Sequence, residues 1–211
     1  MTIPMLAAAG LLLLAGPVSA QILTPPGGGA GVAPAVPPTA SPVPAPDAAA
    51  RRRQELDRLL DGLPLAPDEA AATALQTRIQ ALWAQGGSPA VSLLIRRGLR
   101  NLEGRAAADA VEDLDAAITL QPDFAESWIL RAQALAASGD SRAAAADLQQ
   151  ALRLEPRHFG ALLALSEIQQ ESGDLNGALR SLDAALALHP HLPGGTQRRR
   201  DLSRQALGDD T

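Results

Sequence analysis

Three prolines at equal intervals are the feature that most constrains the fold of this chain. Pro122, Pro156 and Pro190 are evenly spaced, and each comes two residues after a leucine. The residues that recur at fixed offsets before these prolines are Ala110, Ala144 and Ala178, then Leu114, Leu148 and Leu182, then Ala117, Ala151 and Ala185. A period of about 34 residues indicates a solenoid, in which each unit buries its apolar faces against the next unit.

The composition predicts that each unit is helical. Alanine and leucine fill 79 of the 211 positions, whereas the chain has two Phe, two Trp and no Tyr. Alanine and leucine favour helices, and strands prefer β-branched and aromatic residues. Gly139 and Gly173 mark a turn between two helices, and Gly104 stands one residue early in the first unit. We therefore expect an all-α protein, which excludes a Rossmann-type or all-β enzyme.

The units resemble the tetratricopeptide repeat (TPR) family, with repeats at residues 91–124, 125–158 and 159–192. The family pattern has large residues at positions 4 and 11, a small one at 8, Ala at 20 and 27, an aromatic or bulky one at 24 and proline at 32. The second unit supplies Trp128, Leu135, Ala132, Ala144, Ala151, Leu148 and Pro156. The other units depart at position 11, with Asn101 and Gln169. The resemblance implies a right-handed superhelical TPR solenoid of helix-turn-helix repeats with flanking capping helices.

Segments on both sides of the repeats are expected to cap the solenoid. Residues 47–87 contain two amphipathic patterns, the first beginning after Asp47 and the second near Pro67, and we expect this hairpin to cover the N-terminal end of the repeats. Residues 195–207 are expected to form a C-terminal capping helix whose Leu202 and Leu207 face inward.

The resemblance also implies a concave groove, lined by the first helix of each unit. Carried over by position, the protein-binding groove residues are Ser92, Ile95, Leu99, Leu102, Glu126, Ile129, Gln133, Leu163, Glu167 and Gln170. The groove is apolar at one end and acidic at the other, which suits a peptide with apolar anchors and a basic or donor-rich end. Alternatively, the N-terminal hairpin covers its apolar end.

Chaperone-binding members of the family use Lys or Asn at particular groove positions to clamp a carboxylate. The residues that stand at those positions here are Ile95, Leu99, Leu130, Gly160 and Ala164. The resemblance therefore does not extend to the binding of chaperone tails.

One charged pattern predicts ion pairs inside the repeats. Position 7 is Arg97 and Arg131 in the first two units, and position 23 is Asp113 and Asp147. We expect each Arg to pair with the Asp of its own unit across the two helices. The alternative is four independent solvated charges, because the third unit has no such residues at these positions.

The first 46 residues have the sequence of a targeting segment followed by a tether. Residues 1–20 contain a short apolar core and the small-residue site Val18-Ser19-Ala20, which predicts a secretory signal peptide and an exported, periplasmic protein. An uncleaved N-terminal anchor is the alternative. Residues 21–46 are uncharged and rich in Pro, Ala and Gly, which predicts a disordered linker; a ligand for an aromatic groove is the second interpretation.

Charge and residue types exclude several function classes. The 18 basic and 23 acidic residues give a net charge of −5, which disfavours nucleic acid as a partner, and the chain has no Cys. His158, His189 and His191 fall at turns between units and are interpreted as turn-surface residues, not as metal ligands. We expect no catalytic residues, cofactor, metal or small-molecule substrate.

Two functions remain. The favoured one is a non-enzymatic protein–protein interaction scaffold of the cell envelope, which binds a peptide segment or a subunit in the groove. The alternative is a membrane-tethered structural or assembly subunit, which contacts a membrane only if its N-terminal segment is uncleaved.

Overall fold

The computed structural model describes residues 47–208, which belong to one compact unit, residues 45–211. The signal peptide and linker predicted for residues 1–20 and 21–46 lie outside the described residues. Within residues 47–208 the structure is helical and contains no strand, so the all-α expectation is confirmed. The helices are α1 (Ala48–Gly62), α2 (Glu69–Ala84), α3 (Pro89–Glu103), α4 (Ala107–Leu120), α5 (Ala125–Ala137), α6 (Ser141–Leu154), α7 (Phe159–Glu171), α8 (Leu175–Leu188) and α9 (Gly195–Leu207), with a 3-10 turn at Leu63–Leu65.

Three helix pairs form the units of a right-handed superhelical solenoid. Helices α3 and α4, α5 and α6, and α7 and α8 pack as antiparallel hairpins, and each second helix also packs against the first helix of the next unit. The recurring Ala and Leu residues at positions 20, 24 and 27 are all buried. The period seen in the sequence is therefore the spacing of the buried contacts.

The small residues at position 8 allow the two helices of a unit to approach closely. A methyl group on Gly98 would lie 3.1 Å from Leu114, so this helix crossing leaves little room for a side chain. Ala132 is buried at the equivalent place in the second unit. Ser166 in the third unit donates its hydroxyl to the carbonyl of Ala178 at 2.8 Å. A larger residue at this position would separate the two helices.

The turn inside each unit requires a left-handed residue. Gly139 and Gly173 have φ angles of +90° and +83°, and Arg105 takes this conformation in the first unit with φ +60°. Glycine adopts this conformation without a steric cost, whereas Arg105 does so at about 1 kcal/mol. The glycine of the first unit, Gly104, is thus one residue too early to relieve the strain.

Two predicted ion pairs are present in the structure. The Nε of Arg97 donates to Asp113 at 2.6 Å. In the next unit, Nε and Nη2 of Arg131 each donate to Asp147 at 2.7 Å. Arg131 also pairs with Asp115 of the preceding unit through Nη1. The hydrogen bonds to Asp147 are the main reason that the pKa of Arg131 is raised.

The two departures at position 11 have a structural reason. The amide of Asn101 donates to Asp113 at 3.0 Å, and the carbonyl oxygen of Gln169 accepts a hydrogen bond from Ser181 at 2.7 Å. Asp113 and Ser181 both stand at position 23, where they are buried. A buried polar group is stabilised only when it has a hydrogen-bond partner. Position 11 supplies that partner in the first and third units.

The N-terminal hairpin does not lie where an end cap would lie. The apolar faces of α1 and α2 enclose a core that includes Phe159, and Leu188 packs against it, so the hairpin lies on the edge of the solenoid where the loops join successive units. The expected cap over the end of the repeats is therefore wrong. The outer face of α3 carries Arg96 and Arg100, and both remain exposed.

Histidines of the inter-unit loops hold the hairpin in this place. The ring of His158 stacks on Trp83 with 3.8 Å between ring centroids. His189 donates from Nε2 to the side chain of Gln76 at 2.8 Å, and His191 donates from Nε2 to the carbonyl of Ala66 at 3.0 Å.

The burial of two of these histidines contradicts their interpretation as turn-surface residues. His158 and His189 are buried, so that interpretation is wrong for both. The partners of His189 and His191 lie 113 and 125 residues away in sequence. Local spacing does not predict such pairs, because periodicity reports only on neighbours within one helix or strand.

The C-terminal helix α9 caps the solenoid with one of its two predicted contacts. Leu202 is fully buried against Ala178 and Leu182, whereas Leu207 is 77% exposed. Residues five apart differ by about 140° around a helix axis, so both leucines cannot face inward. The expectation for Leu207 is therefore wrong.

We expect Asp147→Ala to lower the free energy of unfolding by about 1 to 3 kcal/mol, because it leaves the largely buried Arg131 guanidinium with Asp115 alone. Urea unfolding followed by circular dichroism measures this loss. Asp115→Ala is the matched control, since Asp115 is exposed, and it should cost less than about 1 kcal/mol. Equal losses in the two variants would contradict the interpretation of Asp147 as the stabilising partner.

The stability of the hairpin contact should fall in mild acid. Burial, and to a smaller extent the charge of His191, lowers the pKa of His189. Below its ordinary pKa of about 6.5 the unfolded chain therefore takes up a proton that the folded chain resists, and the free energy of unfolding decreases. His189→Gln keeps a donor for Gln76 and should show a smaller decrease between about pH 7 and pH 5.5.

Urea unfolding at the two pH values checks this expectation. His191→Gln is the control, and it should keep most of the pH dependence because burial is the larger cause of the shift at His189. If His189→Gln and the wild-type chain lose equal stability in acid, the titrating group lies elsewhere.

Candidate protein-binding groove

The exposed part of the predicted groove is a row at position 9 of the three units. Leu99 on α3, Gln133 on α5 and Glu167 on α7 occupy this position, and all three are exposed. They follow one another at the repeat spacing, because each stands on the first helix of its unit. Along the solenoid the row changes from apolar to neutral polar to acidic.

The groove residues of the first unit form an apolar surface that is partly open. Leu99 is 37% exposed, and Ser92, Ile95 and Leu102 are half-buried. Ile95 and Leu102 pack against the buried core of α4 and α5. These two side chains are held by that core, whereas Leu99 is more exposed to solvent.

The second unit offers fewer groove residues than the sequence predicts. Ile129 is only 5% exposed and belongs to the core between α5, α6 and α7. Glu126 is half-buried, and its Oε1 lies 3.0 Å from Nε2 of His158. The other ring nitrogen of His158 accepts the backbone N–H of Ala161 at 3.0 Å, so Nε2 carries the proton that Glu126 accepts. Gln133 thus remains the exposed member of this unit's predicted set.

Helix α9 occupies the groove side of the third unit. Leu163 packs against the core that contains Leu202, and the amide of Gln170 donates to Gln205 at 2.9 Å. Glu167 forms an ion pair with Arg198. The side chains predicted to receive a partner in this unit therefore contact the chain's own α9, and the exposed predicted residues without such a contact, Leu99 and Gln133, lie in the first two units.

The N-terminal hairpin leaves the apolar end of the groove uncovered. Its core includes Phe159 and packs against Leu188, but it contains none of the groove residues of the first unit. The alternative in which the hairpin covers Ile95, Leu99 and Leu102 is therefore wrong. The position of the hairpin explains this result, because it lies along the loops and does not cross α3.

A cleft between the hairpin and the second unit was not predicted. Its volume is about 380 Å³; Trp83 and Phe124 are among its apolar lining residues, and Arg53 and Glu155 among its charged ones. Arg53 and Glu155 approach to 3.9 Å. The sequence signal that was missed is the aromatic residue that begins or precedes the first helix in two successive units, Phe124 and Phe159. Phe159 packs in the hairpin core, and Phe124 lines the cleft.

The described residues contain neither a metal-binding cluster nor a membrane-spanning helix. In residues 47–208, no group of three or more His, Cys, Asp and Glu side chains is placed to hold a metal ion. Over the same range, none of the helices combines the length and the apolar character needed to cross a bilayer.

Comparison with known proteins identifies the repeat. A family model described as tetratricopeptide repeat matches residues 135–193. A TPR repeat-containing protein of Rhizobium etli is 34% identical over 86 residues, which cover 41% of this chain and 42% of the relative. The chain thus spans about two fifths of the length of the curated relative that it matches.

Solved structures with the same fold are less similar in sequence. The first TPR domain of Spaghetti (RPAP3), bound to an HSP90 peptide, has a TM-score of 0.55 at 20% identity and covers 57% of this chain and 95% of that domain. The TPR2B domain of yeast Sti1, in a complex with an Hsp70 peptide, has a TM-score of 0.52 at 23% identity, with 56% and 99% covered. MamA has a TM-score of 0.53 at 21% identity, with 78% and 86% covered.

These likenesses show the fold and leave the choice of partner open. They agree with three helix pairs at residues 91–192, with the buried Ala and Leu positions of each pair and with the even spacing of the units. The matched family model identifies residues 135–193 as tetratricopeptide repeat sequence, and the solved folds show that the described helix pairs form a tetratricopeptide repeat solenoid.

Proposed function

We propose that this protein is a non-enzymatic interaction scaffold that binds a peptide segment or a protein subunit in the groove of its first two units. The observation that carries the proposal is the exposed row of Leu99 and Gln133, which neither the hairpin nor α9 covers. An exposed apolar side chain above a half-buried apolar floor is what a binding groove offers to an anchor residue of a peptide.

The chemistry of the groove favours a partner with an apolar anchor followed by a polar residue. Leu99, supported by Ile95 and Leu102, would receive the anchor, and the amide of Gln133 would exchange hydrogen bonds with a polar side chain or with the peptide backbone. The acidic end expected at Glu167 is less available, because Arg198 already pairs with this carboxylate. Specificity would therefore arise mainly in the first two units.

The named complexes of the structural neighbours support a peptide partner but do not identify it. The RPAP3 domain is bound to an HSP90 peptide, and the Sti1 domain is in complex with an Hsp70 peptide. In this chain apolar residues such as Ile95 and Leu99 stand where the resemblance places a carboxylate clamp. We therefore propose an internal segment of a partner, not a chaperone tail. The role requires no cofactor, nucleic acid or small-molecule substrate.

We further propose that the scaffold works in the cell envelope as an exported, periplasmic protein. This part rests on the sequence of residues 1–20, with its short apolar core and its small-residue site before Gln21. Residues 21–46 would then provide a tether between the targeting segment and the repeats. The membrane-tethered structural subunit is retained as the second candidate, because the same apolar core would anchor the chain if it were uncleaved.

A photo-crosslinking amino acid at Gln133 should capture a partner in cells. Leu99→Glu should reduce the yield of the same crosslinked product about tenfold or more, because a carboxylate buried at the interface would replace the contact with the apolar anchor. Leu99 is exposed, so the substitution should change the free energy of unfolding by less than about 0.5 kcal/mol. Quantitative immunoblotting of the crosslinked band measures the yield.

The same crosslinker at Gln149, an exposed residue of the second helix α6, is the matched control for surface contacts outside the groove. Equal capture at Gln149, or a product that Leu99→Glu leaves unchanged, would contradict binding in the groove.

Intact-mass spectrometry of the chain purified from its native membrane and soluble fractions should give a mass that begins at Gln21, because the proposed cleavage site is Val18-Ser19-Ala20. Ala20→Asp, which removes the small residue at that site, should leave the uncleaved form and serves as the control. A wild-type chain that still begins at Met1 would favour the membrane-tethered structural subunit.

A further inference from the structure

The first helices of successive units share one face that packs against the preceding unit. Positions 3 and 10 lie on this face. Helix α9 is numbered here as the first helix of a further unit that would begin at residue 193. The residues at these positions in α5, α7 and α9 are Ser127 and Ala134, Ala161 and Ile168, and Gly195 and Leu202, and all six are buried. The partner in each case is the second helix of the unit before: Ala134 packs with α4, Ile168 with α6 and Leu202 with α8.

The same face of α3 is open. Leu93 stands at position 3 and is 57% exposed, and Arg100 stands at position 10 and is exposed. Arg96 at position 6 is also exposed, whereas Leu130 at position 6 of α5 packs against α4. The preceding helix in the chain, α2, lies with the hairpin along the loops. Among residues 47–208, therefore, no helix fills the place that a preceding unit would fill.

The arginine at position 7 shows that the open face of α3 lacks a carboxylate from a preceding unit. Arg131 uses Nε and Nη2 for Asp147 of its own unit and Nη1 for Asp115 of the preceding unit. Arg199, at the same position of α9, pairs with Asp183 of the preceding α8. Asp115 and Asp183 both stand at position 25 of their units, so this contact between units occurs twice in the molecule.

Arg97 has only half of this arrangement. It pairs with Asp113 of its own unit through Nε and Nη2, and its side chain is 58% exposed. Counting back one repeat period from Asp115 leads to Ala81, which has no carboxylate and lies on α2. Among residues 47–208, Arg97 therefore lacks the carboxylate from a preceding unit that would accept a charge-assisted hydrogen bond from its Nη1.

Charge favours a foreign helix over a second copy of this chain. The open face presents Arg96, Arg97 and Arg100, with Leu93 as its apolar residue. The other end of the solenoid is formed by α9, where Arg200 is exposed and Arg204 is exposed and paired with Asp201. Head-to-tail stacking of two copies would bring these arginines together, and like charges across an interface oppose binding.

We propose that the open face of α3 is a docking site for an acidic amphipathic helix of a partner protein. The partner helix packs on α3 in the same way that α4 packs on α5. Its apolar stripe covers Leu93, and one of its carboxylates accepts a hydrogen bond from Nη1 of Arg97 as Asp115 does from Arg131. This surface is distinct from the groove, because Leu93 and Arg100 lie at positions 3 and 10, whereas the exposed groove row lies at position 9.

A peptide with the sequence of residues 106–121 is a suitable probe, because it contains α4 and its four carboxylates, one of which is Asp115. Fluorescence anisotropy with the full chain should give a Kd on the order of 10 to 100 μM, since a short peptide must order on binding. The double variant Arg96→Glu/Arg100→Glu should weaken binding at least about tenfold through charge reversal. Asp115→Asn in the peptide should weaken it by about fivefold, because the amide keeps an acceptor oxygen but loses the negative charge of the carboxylate.

The double variant Arg142→Glu/Arg180→Glu is the matched control, because it makes the same change in net charge at exposed residues of α6 and α8. It should bind the peptide as the wild-type chain does, and circular dichroism should show unchanged helicity in both double variants. Leu93→Asp is a further variant that touches the apolar contact without altering an arginine, and it should also weaken binding.

Three outcomes would overturn the proposal. One is no binding of the peptide up to about 1 mM, which would make the face a solvated end of the solenoid. Another is equal binding to the wild-type chain and to Arg96→Glu/Arg100→Glu. The third is concentration-dependent self-association, seen by sedimentation velocity and abolished by this double variant, which would make a second copy the occupant.

Discussion

Close contact between helices at small side chains is the constraint on which this solenoid depends. Gly98, Ala132 and Ser166 stand where the first helix of each unit meets the second, and a methyl group on Gly98 would already press on Leu114. The leucines at position 24 fill the space that these small residues leave. Since this contact recurs in every unit, the three helix hairpins are alike, and the buried residues at positions 3 and 10 then stack each unit on the one before.

The polar groups are arranged around this aliphatic frame and determine which faces are occupied. Arg131 joins three helices, because it pairs with Asp147 inside its unit and with Asp115 of the unit before. His158 and His189 connect the inter-unit loops to the N-terminal hairpin through Trp83 and Gln76. The hairpin therefore follows the loop edge. That placement leaves both the apolar groove of the first unit and the outer face of α3 exposed.

The repeat frame could be predicted from sequence, but the contacts across it could be predicted only in part. Positions 20, 24 and 27 are local and periodic, and the Arg and Asp residues of the ion pairs recur at the same period. The polar residues at position 11 looked like departures, because their role depends on the partner at position 23, as Asn101 shows with Asp113. The predicted position of the hairpin is wrong because Trp83 stacks on His158, a residue two units further along the chain. Periodicity carries no information about a contact between residues so far apart in sequence.

The two ends of the solenoid differ in whether a helix of this chain covers them. At the C-terminal end, α9 supplies Leu202 to the core and Arg199 to Asp183, so it imitates the first helix of a further unit. At the N-terminal end α2 diverges to the loop edge, and Ala81 stands where a carboxylate would complete the contact of Arg97. A repeat array normally ends in a polar cap that ends the stacking. Here α9 pairs Arg198 with the acidic Glu167 at the closed end, whereas Leu93 and three arginines remain exposed at the open end.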